Sequence, residues 1–86
     1  MASVEQVRAG IALATDKASE SIGALQQAAT AIEQAQTAFA QASEGSSQSD
    51  AEQINGLLQQ ALQSIGDVQQ TVNAAISSAE SYASRL

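Results

Sequence analysis

An apolar residue recurs at every seventh position along this chain, and the pattern is interrupted once, by the polar segment 44–50. On both sides of the interruption, further apolar residues lie three or four positions from the repeat. This spacing places apolar side chains along one stripe of an α-helix. The sequence therefore predicts an all-α fold, in which two long helices form an antiparallel two-helix hairpin packed as a coiled coil.

The ends of the first helix are marked by polar and small residues. Ser3 and Gln6 have the spacing of a capping box, in which each side chain accepts a hydrogen bond from the backbone N–H of the other residue. Gly45 can adopt the left-handed conformation that terminates a helix. We therefore expect a helix over about 4–43 and a turn over about 44–49.

The second helix carries a similar signature at its start. Ser49 and Glu52 repeat the capping-box spacing, and Asp50 adds a negative charge in the first turn, where the helix dipole favours it. This predicts a helix over about 50–86. The 86 residues are too few for more than one domain, so the hairpin is expected to span 1–86.

The turn also predicts the register of the hairpin. If the helices are symmetric about the turn, Phe39 faces Ile54, and Leu25 faces Val68. Several large side chains then lie opposite small ones, which allows the layers to interdigitate. The predicted seam between the helices consists of Val4, Val7, Ile11, Ala18, Leu25, Ala28, Ile32, Ala35, Phe39, Ile54, Leu58, Ala61, Ile65, Val68, Val72, Ala75, Tyr82 and Leu86.

A second group of large apolar residues lies beside or outside this seam. A thin rod with few charged residues has little else to cover them, so we expect a second packing face. A homodimer that forms a four-helix bundle would bury this face, and so would a different helical partner. The candidate residues of the second interface are Leu13, Ile22, Leu57, Leu62 and Ile76.

The composition argues against chemistry on this chain. Without Cys or His the usual zinc, haem and iron–sulfur sites are excluded. Activation of a serine hydroxyl needs a base held beside it, and the chain has no His and a single Lys, Lys17, on a helix flank. The helical carboxylates map to outward positions, where they lack the burial that a general acid or base requires. We expect no enzyme activity, no cofactor, no metal and no small-molecule substrate.

The charge argues against two further classes of partner. The formal net charge is −6, and the three basic residues do not cluster, so no nucleic-acid partner is expected. No basic amphipathic face, long apolar stretch or signal peptide is visible. We expect no membrane association, and localisation either in the cytoplasm or outside the cell without a cleaved signal peptide.

Two acidic, cysteine-free helices joined by a short Gly-containing turn, in fewer than about a hundred residues, resemble the early secreted antigenic target family of type VII secretion. The resemblance covers the whole chain in architecture. The family's Trp-x-Gly turn is replaced by Ser43-Glu44-Gly45-Ser46, and its C-terminal Tyr-x-x-x-Asp/Glu signal is half present, because Tyr82 is followed at that distance by Leu86. The first eleven and last eight residues look like a group of uncharacterised actinobacterial helical hairpins.

That resemblance implies a four-helix dimer and a role as a secreted substrate or as the partner of a larger effector. Our first hypothesis is accordingly a small interaction protein, homo-oligomeric, with a dimer favoured, or paired with a similar chain. The second is a structural protein whose rods assemble further. The third is a cytoplasmic adaptor or antitoxin-like binder that stabilises one particular partner.

Overall fold

A computed structural model describes residues 2–45 and 48–86, and these form two α-helices, α1 (Val4–Ala42) and α2 (Gln48–Ser84). The helices pack against each other and give a rod with extents of 65 × 17 × 15 Å. The predicted all-α hairpin is confirmed. Of the predicted turn, Ser46 and Ser47 lie outside the described residues.

The first helix has the predicted ends to within one residue. The Ser3 N–H donates to Gln6 Oε1 at 3.0 Å and the Gln6 N–H donates to Ser3 Oγ at 3.1 Å, which completes the capping box. At the other end the Ser43 N–H donates to the carbonyl oxygen of Phe39, and Gly45 has a φ of 79°. Glycine has no Cβ and enters this left-handed region at little cost, so the expectation for Gly45 is confirmed.

The second helix begins earlier than predicted. It starts at Gln48, which places Ser49 inside the first turn, so the prediction that Ser49 caps this helix is wrong. Asp50 lies in the first turn, as predicted.

The hairpin has no fully buried layer. Within residues 2–45 and 49–86, no side chain is buried, and the residues between the helices are half-buried. Two helices can shield only the stripe where they touch, because the rest of each cylinder faces solvent. Most of the surface of this protein therefore lies along the sides of the rod.

Candidate interaction surface

The half-buried residues define where the helices meet. Apart from Val7, Ser21, Ala61 and Gly66, they recur along each helix at alternating intervals of three and four residues, as two columns on each helix. Matching the columns in antiparallel order gives the layers Ile11 with Ala83, Thr15 with Ala79, Ala18 with Ile76, Ile22 with Val72, Leu25 with Gln69, Ala29 with Ile65, Ile32 with Leu62, Gln36 with Leu58, and Phe39 with Asn55. Most layers combine a large side chain with a small or polar one.

This register is shifted by one residue from the predicted one. Phe39 lies level with Asn55 instead of Ile54, and Leu25 lies level with Gln69 instead of Val68. Two amide hydrogen bonds between the helices fit the observed layers. Gln36 Nε2 donates to Gln59 Oε1 at 3.3 Å, and Gln69 Nε2 donates to Gln26 Oε1 at 3.5 Å.

One column on each helix matches the predicted seam. The predicted residues that the structure places half-buried are Val7, Ile11, Ala18, Leu25, Ile32, Phe39, Leu58, Ala61, Ile65 and Val72. Those that it places exposed are Val4, Ala28, Ala35, Ile54, Val68, Ala75, Tyr82 and Leu86. The second predicted column is therefore exposed apart from Val7 and Ala61, and the first is exposed only at Val4 and Leu86, near the ends of the rod.

The candidate second interface divides in the same way. Ile22, Leu62 and Ile76 are half-buried in the seam, whereas Leu13 and Leu57 are exposed. The physical reason is the size of the side chains. Enclosing the column that holds Ile22, Leu62 and Ile76 brings three large aliphatic side chains into the seam. The predicted second column on α1, by contrast, is mostly alanine.

The next column is mostly exposed and, apart from Ser21, apolar, and we call it the apolar flank. On α1 it consists of Val7, Ala14, Ser21, Ala28, Ala35 and Ala42, and on α2 it consists of Ile54, Ala61, Val68, Ala75 and Tyr82. None of these residues is charged. Val7, Ser21 and Ala61 are half-buried at the edge of the flank, and its other members are exposed. In the hairpin Ile54 is 40% exposed, Val68 46% and Tyr82 48%.

A groove shows that both halves of the apolar flank lie on the same side of the rod. Its volume is about 240 Å³, and it is lined by Ala14, Thr15, Ala18, Ala75, Ile76 and Ala79. Ala14 and Ala75 belong to the flank columns of α1 and α2, and the other four belong to the seam. Alanines on both helices leave this gap unfilled, so the flank has a concave, apolar section.

The opposite side of the rod is polar, and we call it the amide flank. It carries Gln26 and Gln59, which accept the two interhelical amide hydrogen bonds. Its columns also hold Glu5, Glu33, Glu52 and Glu80. The two sides of the rod therefore differ sharply in polarity.

The exposed area is large for the mass. The chain exposes 6106 Å², whereas a compact protein of 8.8 kDa exposes about 4,800 Å². The excess is roughly 1,300 Å², and a standard protein–protein interface removes about 800 Å² from each partner. The rod thus has enough surplus surface for a complete interface.

The described residues offer no alternative site. Within them, no group of three or more acidic residues is arranged to hold a metal ion, and no helix is both long and apolar enough to cross a membrane. A depression on α1, lined by Thr30, Glu33, Gln34, Thr37, Ala38 and Gln41, involves one helix only and so lies on the outer surface. Comparisons with protein-family models, curated proteins and solved structures found no match.

The polar seam positions were missed by the sequence prediction, although a signal for them exists. Leu25-Gln26-Gln27-Ala28 recurs as Leu58-Gln59-Gln60-Ala61, and Gln36 is separated from Gln69 by the same interval. In the hairpin Gln36 lies level with Leu58 and donates a hydrogen bond to Gln59. Gln69 likewise lies level with Leu25 and donates to Gln26. The repeat therefore encodes a local two-fold symmetry between the helices.

Proposed function

We propose that this chain is a non-enzymatic interaction protein that works by packing its apolar flank against another helical chain. The observation that carries the proposal is the uncharged flank along the whole rod, on a molecule with surplus exposed surface. A contiguous row of exposed apolar side chains is typical of surfaces that pack against a partner.

The distribution of polarity supports the same conclusion. A partner on the apolar flank leaves the amide flank and its carboxylates in water, so docking buries few charges. Burying unpaired charges is expensive, and an interface that avoids them gains most from its apolar area. Two hairpins packed in this way form a four-helix bundle.

The first experiment is light scattering coupled to size-exclusion chromatography over a hundredfold range of concentration. We expect a mass of twice 8.8 kDa. Val68→Glu should reduce the mass to that of a monomer, because it places a charge in the flank. Leu13→Glu is the matched control, since Leu13 is also exposed, at 61%, but lies outside the flank.

The outcomes separate the hypotheses. A monomer with a cooperative unfolding midpoint that does not change with concentration contradicts the proposal, because such a hairpin needs no partner. Equal effects of the two glutamate variants also contradict it. A poorly helical monomer indicates that the partner is a different helical protein, and mass that grows beyond a tetramer favours a structural protein.

The sequence resemblance adds a location to the proposal. Hairpins of the family that the chain resembles are exported by type VII secretion, so we propose export as the setting in which the protein meets its partner. Detection in culture medium that is free of a cytoplasmic marker protein would support export. Retention in intact cells would contradict it and favour the adaptor hypothesis.

A further inference from the structure

We infer that the partner on the apolar flank is a second copy of this chain, with the two rods antiparallel and α2 packed against α2 of the second copy about a two-fold axis at Val68. This inference rests on the proposed function and adds the partner and the geometry. The exposed column of α2, the charge distribution and the exposed area support it.

The column on α2 is symmetric about Val68. Ala61 and Ala75 lie equally far from it on either side, and so do Ile54 and Tyr82. In an antiparallel pair, Val68 therefore meets Val68 of the second copy, each Ala61 meets an Ala75, and each Ile54 meets a Tyr82. A surface that is complementary to itself under a two-fold rotation is what a symmetric dimer requires.

The column on α1 is compatible with the same axis. Its centre falls between Ser21 and Ala28, and the seam register places Val68 at nearly the same level of the rod, level with Gln26. When α2 packs on α2 of the second copy, α1 therefore packs on α1, with Ala14 opposite Ala35 and Ser21 opposite Ala28. Small residues allow these helices to approach closely.

The charges distinguish antiparallel rods from parallel ones. Arg8, Lys17 and Arg85 all lie in the half of the rod away from the turn, where four acidic residues nearly balance them, whereas the half near the turn carries acidic residues and no basic ones. Parallel rods would bring the two acidic halves together. Antiparallel rods instead place each acidic half beside the nearly balanced half of the other copy, which reduces the repulsion and favours this orientation.

The edge of the interface provides a specific pair. Asp50 lies in the first turn of α2, and Arg85 directly follows its last residue, Ser84. Thirty-five residues, or five heptads, separate them, so both lie in line with the column next to the flank, at opposite ends of the rod. The two-fold axis at Val68 brings Asp50 to within one residue of the level of Arg85 in the second copy. Both ends of the dimer then have a carboxylate facing a guanidinium.

Cysteine crosslinking tests this geometry directly, because the chain has no native cysteine. A disulfide forms only where the two Cα atoms come within about 7 Å. Val68→Cys lies on the proposed axis, so it should crosslink to itself under mild oxidation at least about tenfold faster than the exposed control Leu13→Cys. Ile54→Cys alone should be slow, whereas a mixture of Ile54→Cys and Tyr82→Cys should form the mixed dimer.

Three results would overturn the inference. A crosslinking rate of Val68→Cys no higher than that of Leu13→Cys, while light scattering still shows a dimer, would leave the proposed function standing with another geometry. Preferential crosslinking between Ala28→Cys and Val68→Cys would mean parallel rods. A wild-type monomer at every concentration would exclude the second copy as partner. If that monomer unfolds cooperatively, the proposed function fails too, whereas a poorly helical monomer indicates a different helical partner.

Discussion

Gln36 lies in the seam between the helices, level with Leu58, and donates a hydrogen bond from Nε2 to Oε1 of Gln59 at 3.3 Å. The bond between Gln69 and Gln26 repeats this arrangement on the other helix. Both bonds lie on the amide flank. The same pair of interactions therefore fits the observed register and marks the side of the rod that faces away from the proposed interface.

Replacing Gln36 with leucine should stabilise the hairpin. The change adds apolar burial in a half-buried position and removes one exposed amide hydrogen bond, so the free energy of unfolding should rise by about 1 kcal/mol. Urea unfolding at one fixed protein concentration measures the change. Gln59→Leu is the matched control, because it breaks the same bond without adding burial in the seam.

We expect Gln59→Leu to lower the free energy of unfolding by under about 1 kcal/mol. Opposite signs for the two variants would show that the amide bond contributes less than the burial it replaces. If Gln36→Leu is instead less stable than the wild type, the amide pair is the stronger contribution, and the register depends on it.

The glycines should respond with opposite signs according to their backbone conformation. Gly23 lies inside α1, and a Cβ built there meets nothing within 4 Å, so Gly23→Ala should stabilise the protein by about 0.5–1 kcal/mol. Gly45 has a φ of 79°, which strains any residue with a Cβ, so Gly45→Ala should destabilise it by about 1 kcal/mol. Thermal unfolding at matched concentration measures both.

Gly45→Asn provides the control for the turn. Asparagine tolerates the left-handed region better than alanine, so its loss of stability should be smaller. Equal losses for alanine and asparagine would contradict the explanation from backbone conformation. A destabilising Gly23→Ala would mean that a partner approaches the backbone at that point.

The heptad repeat was sufficient to predict two helices and one column of the seam, because Leu25, Ile32, Leu58 and Ile65 have no competing position on their helix faces. The second column could not be chosen from sequence alone. Apolar columns lie on both sides of the first one, and a rotation of each helix decides which of them is enclosed. Three adjacent apolar columns also explain why a surface remains available for a partner.

The prediction of the register failed for a related reason. Assuming a symmetric turn aligned Leu25 with Val68, and a shift of one residue was enough to expose Val68 and place Gln69 in the seam. Turn length gives the register only approximately, since the helix ends vary by a residue or two. The repeated Leu-Gln-Gln-Ala segment contains the missing information, but only the interhelical amide bonds show how to use it.

The capping box at the start of α1 should contribute measurably to stability. Ser3→Ala removes the hydroxyl that accepts from the Gln6 N–H, and the loss should be about 1 kcal/mol. Amide hydrogen exchange should rise at Val7, whose N–H donates to the Ser3 carbonyl oxygen in the first turn. Ser19→Ala is the control, because the same atoms are removed from the middle of the helix.

Ser19→Ala should be neutral or slightly stabilising, since alanine has the higher helix propensity. The informative readout is where exchange changes. A loss of protection confined to the first turn supports local fraying, whereas equal effects of Ser3→Ala and Ser19→Ala would exclude a capping contribution.

A charge placed in the seam should disrupt the fold far more than one placed on the outer surface. Ile65 is half-buried and level with Ala29, and an aspartate there loses apolar burial and must be partly desolvated. Ile65→Asp should cost about 2–4 kcal/mol, which for a thin hairpin means loss of most helicity by circular dichroism. Leu13→Asp places the same charge at a residue that is 61% exposed and should change stability by less than about 0.5 kcal/mol. Unchanged helicity and melting in Ile65→Asp would show that this column does not form the seam, and the apolar flank would then have to be reassigned as well.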